Sequence, residues 1–186
     1  MRIISGFLKG KKINYLKNNI TRPLKDSVKE NLFNVLNHSK SININIERSN
    51  VLDLYSGFGS FGIECISRGA EKVTFVEKDT FALNTLKENL INLSVINKSR
   101  LINCRAEAIL KEGLNDRFNI FFFDPPYADN FFVENLKLIK LKKYYTKDHI
   151  IIIHRERRST DNFQNLVRIT NQKEYGRSKI LFGFFN

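Results

Sequence analysis

Long apolar runs are missing from this 186-residue chain: no stretch approaches the ~18–20 residues that a bilayer-crossing helix needs. Its start, Met1-Arg2-Ile3-Ile4-Ser5-Gly6, has no apolar leader. The expectation is a protein that is neither secreted nor membrane-spanning and that works in the cytoplasm. Cysteine is scarce too. Cys65 and Cys104 stand far apart, without metal-ligand spacing and inside apolar patterns, which reads as reduced core thiols. The three histidines, His38, His149 and His154, also lack ligand spacing, so no metal site is expected and no histidine is given a catalytic role. Acids are outnumbered: 19 Asp and Glu against 31 Lys and Arg give a net charge of +12 and a pI near 9.8.

That excess of base is uneven. Residues 1–50 hold ten Lys and Arg against three acids, residues 51–100 balance six against six, residues 101–150 give eight against seven, and residues 151–186 give seven against three. A neutral centre with basic ends suits a ligand-binding core flanked by contacts to a polyanion, and equally suits a solvated, lysine-rich surface. The length fits one domain with a small appendage. No internal repeat is apparent.

Residues 2–14 read as two short strands broken by glycines, a hairpin decorated by Lys9, Lys11 and Lys12. Thr21-Arg22-Pro23 is extended by the proline rule. Val28, Leu32, Phe33 and Leu36 form a helical stripe over Asp26–Asn37, with Asp26 as N-cap. Ser39–Asn50 reads as a linker or weak strand, dividing a basic extension over residues 1–49 from a main domain over residues 50–186. From there the chain alternates. Strands are expected at Val51–Tyr55, Lys72–Glu77, Arg100–Cys104, Phe118–Asp124 and His149–His154, and helices at Phe61–Arg68, Asp79–Leu90, Ala106–Glu112 and Phe131–Lys140. Such alternation implies an α/β fold whose parallel sheet has helices on both faces. Leu166–Thr170 and Ile180–Phe185, close together around Tyr175-Gly176, suit a final antiparallel hairpin.

Two stretches carry chemistry. Val51-Leu52-Asp53-Leu54-Tyr55-Ser56-Gly57-Phe58-Gly59-Ser60-Phe61-Gly62 is a strand, a glycine turn and a helix start, and Glu77 follows at the end of the next strand, where an acid can hold a ribose diol. Literally, Gly57 to Gly62 satisfies the dinucleotide fingerprint G-x-G-x-x-G. Asp53 favours a different ligand. A carboxylate just before the loop is a poor neighbour for pyrophosphate and a good one for the ammonium of S-adenosylmethionine, which has a ribose diol and no phosphate. The second stretch is Phe118–Tyr127, whose buried apolar run stops at Asp124-Pro125-Pro126-Tyr127. Two prolines end the ladder in a stiff corner beyond the strand's C-terminal end, where open α/β sheets bind ligands. The Asp124 carboxylate and the Pro125 carbonyl can both accept from one amino group, and Tyr127 offers a face on which a base can stack. Alone, the tetrapeptide is also an ordinary surface turn.

Together these stretches look like a class I, Rossmann-like S-adenosylmethionine-dependent methyltransferase acting on an exocyclic amine. Arg2-Ile3-Ile4-Ser5-Gly6, Gly10-Lys11-Lys12, Thr21-Arg22-Pro23, Val28-Lys29-Glu30 with Leu32-Phe33, Ser67-Arg68-Gly69-Ala70 and Tyr175-Gly176 further resemble the RsmD family of bacterial small-subunit ribosomal RNA guanine-N2 methyltransferases. The resemblance implies a mostly parallel sheet with the last strand antiparallel, small-subunit ribosomal RNA as partner, and a monomer. It implies that Asp124, Pro125 and Tyr127 meet the guanine amine. Asp53, Ser56, Gly57 and Gly59 would hold the methionine end of the cofactor, Glu77 its ribose, and Ala106 would lie near its adenine. Lys9, Lys11, Lys12 and Arg22 would contact RNA, Arg22 being equally suited to a structural ion pair. Arg105 stands where such enzymes often carry an acid for the adenine amine, leaving that contact to backbone or Glu107. His154-Arg155-Glu156-Arg157-Arg158 reads as a surface charge run or a phosphate contact, and Lys78 as solvated. An adenine-N6 methyltransferase, a protein-amide methyltransferase and a non-catalytic ribosome assembly factor remain as alternatives.

Overall fold

A computed structural model of the protein describes residues 1–15, 24–39, 42, 44–129, 131–163 and 165–186. The helices are α1 (Asp26–His38), α2 (Ser60–Ser67), α3 (Thr80–Asn92), α4 (Ala106–Glu112) and α5 (Phe132–Lys142). The strands are β1 (Asn50–Leu54), β2 (Lys72–Val76), β3 (Ser99–Ile102), β4 (Phe118–Phe123), β5 (Tyr145–Glu156), β6 (Val167–Tyr175) and β7 (Ser178–Phe185). They form one sheet in the order β3-β2-β1-β4-β5-β7-β6. All pairings are parallel up to β5, and β7 runs antiparallel to both neighbours, as expected from the short spacing of the last two strands. Among the described residues no helix is long and apolar enough to cross a membrane.

Side-chain alternation splits the core in two. Val51, Val73, Phe75, Ile120, Phe122, Ile150 and Ile152 pack on the face covered by α1, α2, α3 and the N-terminal residues. Leu52, Leu54, Val76, Phe121, Phe123, Ile151 and Ile153 pack on the face covered by α4 and α5. The apolar runs in β4 and β5 follow from burial on both sides. β5 begins at Tyr145, earlier than His149, because Tyr145 pairs with Phe118 before an irregularity in the ladder.

The N-terminal residues form a hairpin held by an antiparallel bridge between Arg2 and Lys12. Ile3, Leu8 and Ile13 point into the core beside Leu32, Phe33 and Ile66. Ile42 and Ile46, in the stretch read as a linker, are buried in that same cluster. Asp26 opens α1 but does not cap it; it pairs with Arg2 at 3.4 Å instead.

One buried carboxylate organises this region. Glu64 of α2 accepts from the Ile4 N–H at 2.8 Å, the Ser5 N–H at 2.9 Å and Arg68 Nε at 2.9 Å, and Lys29 Nζ lies 3.6 Å away. Lys29, fully buried, also donates to the Arg2 carbonyl at 2.7 Å. Burial pulls its pKa down, opposed by the Glu64 charge. Beside it, the Ser67 hydroxyl bridges the Ser5 carbonyl and the Leu8 N–H, and the Ser67 carbonyl accepts from Phe7. Gly6 approaches so closely that an added Cβ would lie 1.8 Å from the Ser67 carbonyl oxygen. Removing one member of a buried ion network costs ~3–5 kcal/mol because its partners stay buried without compensation. We expect that loss for Glu64→Ala in urea unfolding.

His149 is buried at the end of the sheet, with Nδ1 2.9 Å from the Thr146 carbonyl and Nε2 accepting the Phe185 N–H at 3.0 Å. The ring is therefore neutral and protonated on Nδ1, and burial lowers its pKa. The unfolded chain takes up the proton first, at about pH 6.5. His149 thus contributes stability above that pH and loses it on acidification toward the lower folded value. His149→Gln, which can still accept from Phe185 but does not titrate, should flatten that part of the pH–stability curve.

Candidate active site

β1 is the point from which the chain winds one way to β2 and β3 and then back to β4, so its C-terminal end faces a crevice between diverging connections. Beyond Leu54 the backbone turns through positive φ at Tyr55 (64°), Gly57 (51°) and Gly59 (81°). The turn is pinned by the Ser56 N–H to the Val76 carbonyl at 3.1 Å and the Gly59 N–H to the Ser56 carbonyl at 2.8 Å. It opens into a cleft of ≈ 1000 Å³. Asp53, Ser56, Gly57, Glu77, Ala106, Asp124, Pro125 and Tyr127, all expected from the sequence, line that one cleft.

Asp53 is 1% exposed and accepts the Gly62 N–H at the start of α2 through Oδ2, at 3.0 Å. Among the described residues, its Oδ1 and the Ser56 hydroxyl are buried without a hydrogen-bond partner. Burial pushes the Asp53 carboxyl well up, the Gly62 N–H opposes this, and the Asp124 and Glu77 charges push it further. Glu77 accepts the Gly57 N–H at 2.8 Å with one oxygen and the Asp79 N–H at 2.9 Å with the other, which locks its carboxylate at the cleft wall. Three carboxylates and an unpaired buried acceptor favour a ligand carrying positive charge and hydroxyl donors, and oppose a pyrophosphate.

Gly59 departs from expectation. It does not line the cleft; a Cβ there would lie 2.3 Å from Leu86 Cδ1, so glycine serves the left-handed N-cap of α2 and the approach of α3. Arg105 sits exposed at the rim, 3.7 Å from Glu107. Lys78 lines the cleft, exposed. Lys9, Lys11 and Lys12 are exposed on the hairpin, and Arg22 lies outside the described residues.

The acceptor corner follows β4. The Asp124 N–H reaches the Leu54 carbonyl at 3.4 Å, tying the corner to β1. The Pro126 carbonyl accepts from Asp129 at 2.8 Å and from Arg155 Nη1 at 3.1 Å, whereas that of Pro125 takes no hydrogen bond among the described residues. Tyr127 is 39% exposed at the mouth.

Two residues of β5 matter that the sequence reading passed over. His154, given no catalytic role, has Nδ1 2.8 Å from Asp124 Oδ1 and lines the cleft. Arg155, read as part of a charge run, is 1% exposed. It forks onto Asp161 with contacts of 3.0 to 3.2 Å and lies 4.7 Å above the Phe132 ring, so it braces the corner from the opposite face. Of that run, Arg157 pairs with Glu174 at 3.1 Å. The signal was register: Phe123 pairs with Ile153, which sets residue 154 beside residue 124 and turns residue 155 to the other side.

Comparison with known proteins agrees with this geometry. Residues 1–184 match the family described as conserved hypothetical protein 95. The ribosomal RNA small subunit methyltransferase D of Haemophilus influenzae is 35% identical over 84% of this chain and 79% of its own length. The protein of the same name from Buchnera aphidicola subsp. Acyrthosiphon pisum is 34% identical over 85% of this chain and 79% of its own length. A solved structure, "Putative methyltransferase yhhF from Escherichia coli", superposes with a TM-score of 0.84 at 25% identity, covering 98% of this chain and 96% of that one.

Arg155→Met should cost ~3–5 kcal/mol in urea unfolding, since it strands the buried Asp161 carboxylate and releases the Pro126 carbonyl.

Proposed function

The chain belongs to the RsmD family, and on that premise we propose that it methylates the exocyclic N2 amine of a guanine in small-subunit ribosomal RNA, using S-adenosylmethionine. One observation carries the reading: the Asp53–Glu77 wall and the Asp124–Pro125 corner face a single cleft, so a cationic cofactor and an amine acceptor can meet between them. The cofactor, when bound, would supply a methyl group on a positively charged sulfur.

The residues present suit such a ligand. The unpaired Asp53 Oδ1 and Ser56 hydroxyl would take the ammonium end, and Glu77, preset by two backbone N–H groups, would accept from the ribose hydroxyls. Ala106 lets the adenine approach, with Glu107 rather than Arg105 the acceptor for its amine. At the other end, Asp124 and the Pro125 carbonyl would accept the two N–H bonds of the guanine amine and turn its lone pair away from them. That would leave the lone pair free to take the methyl group that the cofactor supplies, and the proton the nitrogen then gives up would pass to Asp124 or to water. The Asp124 charge favours the positive charge that develops on that nitrogen. Tyr127 would stack on a base taken out of its helix. Lys9, Lys11 and Lys12 would contact the RNA backbone, with Arg22 a further candidate from the sequence, and the protein would act as a cytoplasmic monomer on the ribosomal subunit.

The test is transfer of labelled methyl from S-adenosylmethionine to small ribosomal subunits lacking the modification, followed by nucleoside digestion, with transfer RNA and DNA as competitors. Wild type should yield N2-methylguanosine, and Asp124→Ala should fall ~10²-fold or more in kcat. Asp53→Ala should weaken cofactor binding by ~10-fold or more in calorimetry, as expected for a lost charge-assisted contact worth ~1.5–3 kcal/mol. Label in N6-methyladenine or in protein would overturn the substrate, and absence of cofactor binding would favour the assembly factor.

A further inference from the structure

His154 has no part in the reading above. The last parallel pair between β4 and β5 is Phe123 with Ile153, so Asp124, just past the end of β4, stands beside His154, which is still within β5 and paired with Ile180 of β7, on the face opposite Arg155. The Nδ1–Oδ1 distance is 2.8 Å, and the two side chains are 11% and 27% exposed. A carboxylate only accepts, so Nδ1 carries the proton. Tyr127 meets the imidazole edge-on, with ring centroids 6.3 Å apart. Oδ2 of Asp124 takes no hydrogen bond from the protein among the described residues.

We propose that His154 is a positioning residue for the acceptor amine: its Nδ1–H occupies Oδ1 of Asp124 and holds Oδ2 toward the amine beside the Pro125 carbonyl. The proposal rests on the reading of Asp124 as the group that meets the acceptor. Without the imidazole the carboxylate is free to rotate, and its two oxygens exchange between water and substrate. Histidine also suits the electrostatics. An imidazole can donate from Nδ1 without carrying a charge and so can orient the carboxylate while leaving its negative charge in place, whereas an arginine or lysine at the same point would offset the charge that the reacting nitrogen needs.

Two readouts test this. In the free protein, ring ¹⁵N shifts near neutral pH should report the Nδ1–H tautomer for His154, and Asp124→Ala should convert it to Nε2–H; His149, whose Nε2 accepts from Phe185, supplies an internal reference for the Nδ1–H form. In steady-state methyl transfer, His154→Leu should lower kcat ~10–100-fold, the range seen when a residue that orients a functional group is removed, with KM for the cofactor changed less than about threefold. His154→Asn, whose amide N–H sits at about the reach of Nδ1, should recover at least about a third of wild-type kcat. An Nε2–H tautomer in wild type overturns the proposal, as does an unchanged kcat in His154→Leu or an equal loss in both variants. Should wild type methylate another acceptor, the guanine reading fails while the same readouts on that acceptor still decide the role of His154.

Discussion

A carboxylate with no access to water must be fully paired, and in this molecule that requirement falls on Glu64. Its partners come from three separate segments: two N–H groups from Ile4 and Ser5, an ammonium from α1 and a guanidinium from Arg68, just past the end of its own helix. Each is worth little singly against desolvation, but together they leave one geometry in which the charge is satisfied. The helix that carries Glu64 is the same one whose first turn binds Asp53 through Gly62. α2 thus couples the docked N-terminal hairpin at one end to the cleft at the other. Arg68, stacked 4.3 Å over Phe33, and the Phe33–Phe61–Phe122 stack extend this coupling to β4, the strand that delivers Asp124.

The cleft shows the opposite economy. Around Asp53, Glu77 and Asp124 the protein keeps acidic groups together and, among the described residues, leaves an oxygen of Asp53 without a partner. Tyr55 holds a positive φ, its hydroxyl accepting from Asn135 at 2.8 Å while burial raises its pKa far above the ordinary value. These features disfavour folding, and they persist where the surrounding sheet over-determines them. Preset acceptors need little rearrangement to meet a cationic ligand at one end and an amine at the other.

Most of the architecture could be read from the chain because local pattern and tertiary outcome coincide. The apolar runs Ile120–Phe123 and Ile150–Ile153 announce doubly covered strands, and the α1 stripe predicted the buried face seen. Asp53, Glu77 and Asp124 were legible because each stands at the end of a strand next to a turn signal. What escaped depends on pairing across the sheet. The charges of His154 to Arg158 look alike in one dimension, and only the β4–β5 register separates a cleft residue, a buried brace and a surface ion pair. Gly59 escaped for a different reason: glycine demanded by a ligand and glycine demanded by Leu86 are the same letter. Glu64 gave no signal either, since the two N–H groups that fix it, those of Ile4 and Ser5, lie about 60 residues away in the chain.

That separation bears on how the molecule is made. A ribosome adds roughly 5–20 residues per second. After Ser5 emerges, roughly 3–12 seconds of synthesis pass before Glu64 and Ser67 exist to receive it, at that pace. Ile3 and Leu8, buried in the folded protein, therefore spend that interval without the α2 surface that covers them, whereas Phe7 stays exposed even after docking.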